Sequence, residues 1–251
     1  MKKILVFFFP LFSSYIAVAD NNSLFNAYYI GGGLGYSHGK VVEGNSDWLE
    51  GGTDRFLLSG KNSNFNHMLF NINGGYNLQL NNKSIIGFEI DNSTVNQTAN
   101  GDLINYDLTS NQRTDKVISK TSIHNIQTLR LKYGLKQNNI YYYITGGLAL
   151  TEVKRQVTAL ASDGANIFYL DPGTNIQKTS FESGYALGAG LEMPIKDNLT
   201  FSLKYMYTDF GSIKYTYNGF ATVPGVTFSE LGNQKIKLDN SMLTIGLNYH
   251  F

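Results

Sequence analysis

The last eleven residues, Ser241 to Phe251, alternate without a break. Leu243, Ile245, Leu247, Tyr249 and Phe251 fall on one side of an extended strand, and Met242, Thr244, Gly246, Asn248 and His250 fall on the other. One face is apolar and the opposite face is small or polar. Such a strand needs an apolar medium on one side and hydrogen-bonded neighbours along its edges, so the rest of the chain has to supply antiparallel strands.

It does so seven times. The first run, Tyr28 to Tyr36, sets Tyr28, Ile30, Leu34 and Tyr36 against Gly31, Gly33 and Gly35. The second (about Asn66 to Leu80) sets Phe70, Ile72, Tyr76 and Leu78 against Asn71, Asn73, Gly75 and Asn77. The third opposes Ile86, Phe88 and Ile90 to Gly87, Glu89 and Asp91, and the fourth opposes Leu129, Leu131, Tyr133 and Leu135 to Arg130, Lys132 and Gly134. The fifth, sixth and seventh follow the same rule around Tyr142 to Leu150, Tyr185 to Met193 and Leu199 to Tyr207. Between them, long polar segments (Lys40 to Asn64, Gln97 to Lys120, Gln156 to Gln177, Tyr217 to Gln234) alternate with tight turns at Asn81-Asn82-Lys83, Gln137-Asn138-Asn139 and Lys196-Asp197-Asn198. The pattern predicts an all-β fold: an eight-stranded antiparallel up-and-down transmembrane β-barrel with four long extracellular loops and three short periplasmic turns.

Residues 1–19 read as a signal peptide, with Lys2 and Lys3 ahead of an apolar core and Ala17-Val18-Ala19 as the cleavage site, leaving 20–251 as the barrel. Removing those two lysines from 20 basic residues leaves 18 against 19 acidic ones, a balance that offers nothing to nucleic acid. With no cysteine there is neither a disulfide nor a zinc–thiolate site. Beyond residue 20 no run of about 18 apolar residues remains for a membrane helix, a restriction that leaves barrel strands untouched.

Alternation alone does not say which face points inward, since a lipocalin is an eight-stranded barrel with its apolar side inside. The non-apolar faces decide. Glycine and alanine suit the cramped lumen of a small barrel, and Glu89, Asp91, Arg130, Lys132, Glu192 and Lys204 on that side are balanced in sign and able to pair across it. The apolar face therefore meets lipid, with tyrosines near the strand ends at headgroup level.

Tyr28-Tyr29-Ile30-Gly31-Gly32, Gly75-Tyr76-Asn77, Gly87-Phe88-Glu89-Ile90-Asp91, Tyr143-Ile144-Thr145-Gly146-Gly147, Gly188-Ala189-Gly190-Leu191-Glu192, Tyr205-Met206-Tyr207-Thr208-Asp209-Phe210-Gly211 and the closing Gly246 to Phe251 resemble, in order, strands of the outer-membrane β-barrel family of opacity-type surface antigens, outer membrane immunogenic proteins and porin-like relatives. Two departures stand out: the family's tryptophan ahead of the first strand is missing, and the fourth strand carries Arg130 and Lys132 where an arginine pair is usual. The resemblance implies a bacterial outer-membrane location, delivery by periplasmic chaperones and insertion by the barrel-assembly machinery, with Leu247, Tyr249 and Phe251 as the C-terminal assembly signal.

For chemistry, the lumen charge network reads either as a solute gate or as a plug, and the width of an eight-stranded barrel favours the plug. His38, His67 and His124 fall near the extracellular rim, His38 facing outward and the other two inward, as a conceivable haem or metal site. No Ser, His and carboxylate cluster supports an enzyme, and no cofactor or metal is expected. Trp48, Phe56, Leu57 and Leu58 in the first loop, and Phe220, Val223, Val226 and Phe228 in the fourth, would serve a host or cell-surface ligand or pack over the barrel mouth. The expected function is structural or adhesin-like display of loops; a small-solute channel or a haem-binding receptor are the alternatives.

Overall fold

The period-2 pattern is expressed as strand almost everywhere. The computed structural model describes residues 24–50, 54–58, 62–106, 114–162, 167–169, 176–223 and 226–251. These form β1 (Tyr28–Glu50), β2 (Asp54–Leu58), β3 (Ser63–Gln79), β4 (Ser84–Tyr106), β5 (Thr114–Gln137), β6 (Ile140–Ser162), β7 (Ile167–Tyr169), β8 (Ile176–Lys196), β9 (Leu199–Val223) and β10 (Val226–His250), with no helix among the described residues. All pairings are antiparallel, in the order β10-β9-β8-β6-β5-β4-β3-β1, and β10 returns to β1 from Tyr29↔His250 onward. The ring is closed by eight strands. The short β2 and β7 extend the arms of β1 and β6.

The tight turns explain one end. Asn81 Oδ1 accepts the backbone N–H groups of Lys83 and Ser84, an Asx turn. Asn138 and Asn139 both hold positive φ, the two-residue hairpin geometry that asparagine tolerates. At this end Phe25 tucks into the lumen against Tyr141, ring centroids 5.6 Å apart, and the backbone N–H of Phe251 donates to Tyr28 O.

The predicted apolar faces point outward. Ile144 and Leu131 are 66% and 73% exposed, and the belt on β1 runs nine residues from Tyr28 to Tyr36, close to the roughly 9–11 a tilted strand needs to cross a bilayer. A continuous apolar band of this kind is a lipid-facing surface.

The eight strands of the ring, however, run 17 to 25 residues, about twice the belt. Much of what reads as loop from composition is strand, including Lys40 to Glu50, Gln97 to Tyr106 and Tyr217 to Val223. The physical reason is an inversion of phase. In the belt the outward residues are apolar; above it Val41, Ile123, Val153, Ile213, Ile236 and Leu238 face inward and are buried, while Lys120, Lys214, Lys235 and Lys237 face outward. Once the exterior is water, the interior has to be the apolar side.

Above the belt the barrel also divides. Pairing of β3 with β4 stops at Phe70↔Thr94 and that of β8 with β9 at Tyr185↔Asp209, whereas the flanking pairs continue to Val41↔Ser63, Tyr106↔Thr114, Val157↔Ile176 and Val223↔Val226. One sheet, β4-β5-β6-β8, therefore faces another, β9-β10-β1-β3, and their inner side chains form a single apolar cluster. Both splits coincide with bulges. Asn96 (φ +37°) lies in the register shift of β4, and Gly211 (φ +65°) in that between β9 and β10, its N–H donating to Asp209 Oδ1 at 2.6 Å. A bulge bends its strand and raises its twist, which steers β4 away from β3 and β9 away from β8. Side-chain links bridge the seams, among them Ser63 Oγ to Asn100 O (2.7 Å) and Ser180 Oγ to Tyr215 Oη (3.2 Å).

Candidate functional site

The charged residues of the lumen meet because their strands carry them at one level on the inner face. Glu89 and Arg130 are direct register partners across β4 and β5. Arg130 Nη2 donates to both Glu89 Oε1 and Asp91 Oδ2, and its Nε donates to Thr128 Oγ1 at 2.8 Å. Lys204 enters from β9, on the opposite side of the ring, and bonds Glu89 Oε1 and Asp91 Oδ2, each at 2.9 Å. Lys132 donates to Glu192 Oε1 at 2.5 Å and lies 3.5 Å from Glu89 Oε2. All six residues are buried, and three carboxylates face three cations.

Tyrosines complete this layer. Tyr29 Oη donates to Glu89 Oε2 at 2.6 Å and accepts from Lys132 Nζ at 3.2 Å. The same ammonium lies 4.9 Å and 4.3 Å from the ring centroids of Tyr29 and Tyr143, within cation–π range. Glycines give these rings room: a Cβ on Gly75 would meet Tyr29 Oη at 2.6 Å, and one on Gly190 would meet Tyr143 Oη at 2.5 Å. Tyr29 and Tyr143 are absent from the sequence-predicted network, although Tyr29 is in phase with Gly31 and Gly33 on the inner face.

A second polar bridge lies in the extramembrane part. Arg155 of β6 donates to Glu43 Oε1 of β1 (3.2 Å), Thr121 Oγ1 of β5 (2.6 Å) and Gln234 Oε1 of β10 (2.5 Å). Gln234 Nε2 and Ser119 Oγ donate to Glu43 in turn. This bridge ties the two facing sheets together across their apolar core. The polar surroundings of Glu43 and Gln234 read as loop, yet Val153, Arg155 and Val157 already share one strand face.

Among the described residues the lumen is lined in turn by Phe25, Ile85, Tyr141 and Tyr143 at the turn end, the charged layer, the apolar cluster interleaved with the hydrogen-bonded Gln97, Ser37 and Asn240, and the Glu43–Arg155 bridge. A residual cavity beside Lys204, lined by Gly32, Asn73, Thr244 and Asn248 among others, leaves about 10 Å³, room for one water molecule.

The profile of the outer membrane protein beta-barrel domain matches residues 5–251. The chain belongs to that family. This outer-membrane barrel is 26% identical over 224 residues to the 31 kDa outer-membrane immunogenic protein of Brucella melitensis, covering 88% of this chain and 78% of that one. It is 27% identical over 124 residues to the 25 kDa outer-membrane immunogenic protein of Brucella abortus; that match covers 49% of this chain and about half, 45%, of the relative's length. Among solved structures, the outer membrane protein OprG from Pseudomonas aeruginosa superposes with a TM-score of 0.49 at 17% identity, covering 90% of this chain and 96% of that one. The family places the protein in the bacterial outer membrane, in agreement with its lipid-facing belt.

In this outer-membrane barrel the rim histidines do not converge. His38 bonds Asn66 and His124 bonds Asn96 on the outer face, whereas His67 is the register partner of inward Ser37, is exposed at the open β3–β4 seam, and has Nδ1 against the backbone oxygen of Met68. The expected inward orientation of His124 is thus corrected. His124 sits in the bulge between Ile123 and Ile126, where the inside–outside alternation is interrupted, and His67 lies where β3 has lost its pairing to β4. No group of three or more metal-ligating side chains occurs among the described residues. Leu247, Tyr249 and Phe251 lie on the lipid face, the rings of Tyr249 and Phe251 5.3 Å apart. The side chains of Trp48, Phe56, Leu57, Leu58, Phe220, Val223, Val226 and Phe228, and the whole of residues 1–19, lie outside the described residues.

Proposed function

We propose that this outer-membrane barrel is a closed, non-catalytic display scaffold whose extramembrane two-sheet extension carries its distal hairpins to a host or cell-surface ligand. The observation that carries this reading is the crossing of the lumen by Lys204 to Glu89 and Asp91, which joins opposite walls of the ring at the charged layer. Burying six charges is costly unless every one is paired, and here each has an opposite partner. Such a layer holds strand register and fills space. A small-solute channel would require these pairs to separate.

The test is single-channel conductance of the barrel in a planar bilayer. The scaffold reading expects no steady openings in the wild-type protein; steady openings that change with Arg130→Ala would make it a channel. In the same reading, Leu247, Tyr249 and Phe251 are the signal for the assembly machinery and its delivering chaperones. Deleting Phe251 is then expected to lower the amount inserted in cells while leaving detergent refolding of the purified chain intact.

A further inference from the structure

The outward face of the extramembrane β9–β10 hairpin carries an arrangement that strand pairing alone does not favour. Lys214 and Lys235 are direct register partners, and Lys237 follows two residues along β10 opposite Ser212. All three are exposed. Directly opposed side chains have Cβ atoms about 4.5–5.5 Å apart and diagonal ones about 7–8 Å, and like charges so placed repel. Among the described residues none of the three forms an ion pair. The carboxylates nearest along these strands form no ion pair with them: Asp209 accepts from Tyr185 Oη and Gly211 N, and Asp239 stands opposite Lys40 on the neighbouring strand.

Among the described residues, the other outward faces at this height carry at most an isolated cation, such as Lys120 of β5 between Asn100 and Gln156. Lys154 meets Glu152 at 3.6 Å, Thr98 meets Ser122, and β3 offers Asn64 and Asn66. The uncompensated cations are concentrated on one hairpin, and that hairpin faces sideways, over the membrane surface. The rings of Tyr185 and Tyr207, 6.4 Å apart, and the Tyr205 to Ser241 hydrogen bond mark the upper edge of the lipid belt. Lys237 and Lys235 stand four and six residues above Ser241, about 10–15 Å along the membrane normal at ordinary strand rise and tilt. That is too high for the acyl boundary and within reach of a thick, sugar-bearing headgroup.

We infer that Lys214, Lys235 and Lys237 dock the phosphorylated sugar headgroup of a glycolipid in the surrounding outer leaflet. Ammonium groups that repel one another in isolation are brought to a common minimum by a multivalent phosphate placed between them. The attachment would be electrostatic, lateral and sensitive to salt.

The experiment uses the full barrel extracted from outer membranes into neutral detergent and titrated with rough-type lipopolysaccharide, either intact or stripped of phosphate by phosphatase. Heat-modifiable migration in electrophoresis confirms that each variant is folded. At about fivefold per lysine, the Lys214→Gln/Lys235→Gln/Lys237→Gln variant is expected to bind the intact glycolipid roughly 100-fold more weakly. A Lys120→Gln/Lys154→Gln variant on the opposite sheet is expected to bind as wild type does, and phosphate removal to abolish the difference between wild type and the triple variant. Equal affinity of wild type and the triple variant overturns the inference, as does an equal loss in the Lys120/Lys154 variant. Titration with soluble heparin separates the sources: a preference for heparin over the intact glycolipid overturns the lipid assignment.

Discussion

Lys204 of β9 spans the lumen to reach Glu89 of β4, Nζ to Oε1 2.9 Å, so two strands on opposite sides of the ring are joined through its centre. Arg130, Lys132 and Tyr29 converge on the same carboxylate. Glu89→Ala leaves three cations facing Asp91 and Glu192 alone, and a loss of about 3–5 kcal/mol is expected for breaking a buried pair in this way. The midpoint of thermal unfolding in detergent, followed by heat-modifiable migration, measures it. Lys204→Met, which removes a cation but keeps the apolar stem, is expected to cost less than Glu89→Ala.

Gly190 and Gly75 lie against the hydroxyls of Tyr143 and Tyr29, and a Cβ at either position would also press on a backbone carbonyl. Gly190→Val is expected to destabilise by about 1–3 kcal/mol through overpacking. The same substitution at Gly32, where an added Cβ approaches nothing nearer than 3.5 Å, is expected to be milder. Paired unfolding curves of the two variants check the ordering.

The inverted phase makes a sharper contrast. Ile236 is buried between the two extramembrane sheets, whereas Ile245 stands in the lipid belt, 52% exposed. Ile236→Ala is expected to cost about 2–5 kcal/mol, as for a core cavity. Ile245→Ala leaves a gap that acyl chains can fill, and the expected loss is smaller. Proteolysis of the extramembrane sheets in intact cells distinguishes the two, with only the Ile236 variant becoming susceptible.

At the rim, Asp239 stands opposite Asp209, and partial burial together with that second carboxylate holds its pKa above the usual aspartate range, while Lys40 and His38 oppose the shift. The folded protein therefore binds this proton more tightly than the unfolded chain does. Asp239 is a destabilising element at neutral pH, and the penalty is relieved as pH falls through the raised pKa toward about pH 4. Asp239→Asn is expected to add roughly 0.2–1 kcal/mol at pH 7, with the gain disappearing in acid. Unfolding midpoints of wild type and variant at pH 7 and pH 4 measure the sign.

Gly211 has open space around its missing Cβ, so its requirement is backbone conformation alone, at φ +65°. Gly211→Ala is expected to cost about 1–2 kcal/mol from the left-handed geometry. Because this bulge lies in the β9–β10 pairing between Ser212↔Lys237 and Asp209↔Asp239, amide hydrogen exchange in that pairing is expected to quicken, with the belt unaffected.

What the amino-acid order determined by itself is the membrane-spanning belt. Each strand there carries a fixed contrast, as between Leu129 and Arg130 or Ile245 and Thr244, and a one-residue slip would expose every inner polar group to lipid. Six charges in phase, opposite in sign and equal in number, were enough to place them together in the lumen. The extramembrane half was written in the same period, as in Lys235-Ile236-Lys237-Leu238-Asp239, but with the apolar set on the other face. Without knowing where lipid ends, the polar-rich segments beyond such a run, as from Tyr217 to Gln234, read as loop. Only the tertiary structure decided that these segments are strands, that Arg155 reaches Glu43 across 112 residues, and that bulges at Asn96 and Gly211 divide one barrel into two facing sheets. Those outcomes depend on which medium surrounds each level and on which distant strands arrive there, and neither is encoded in any local run of residues.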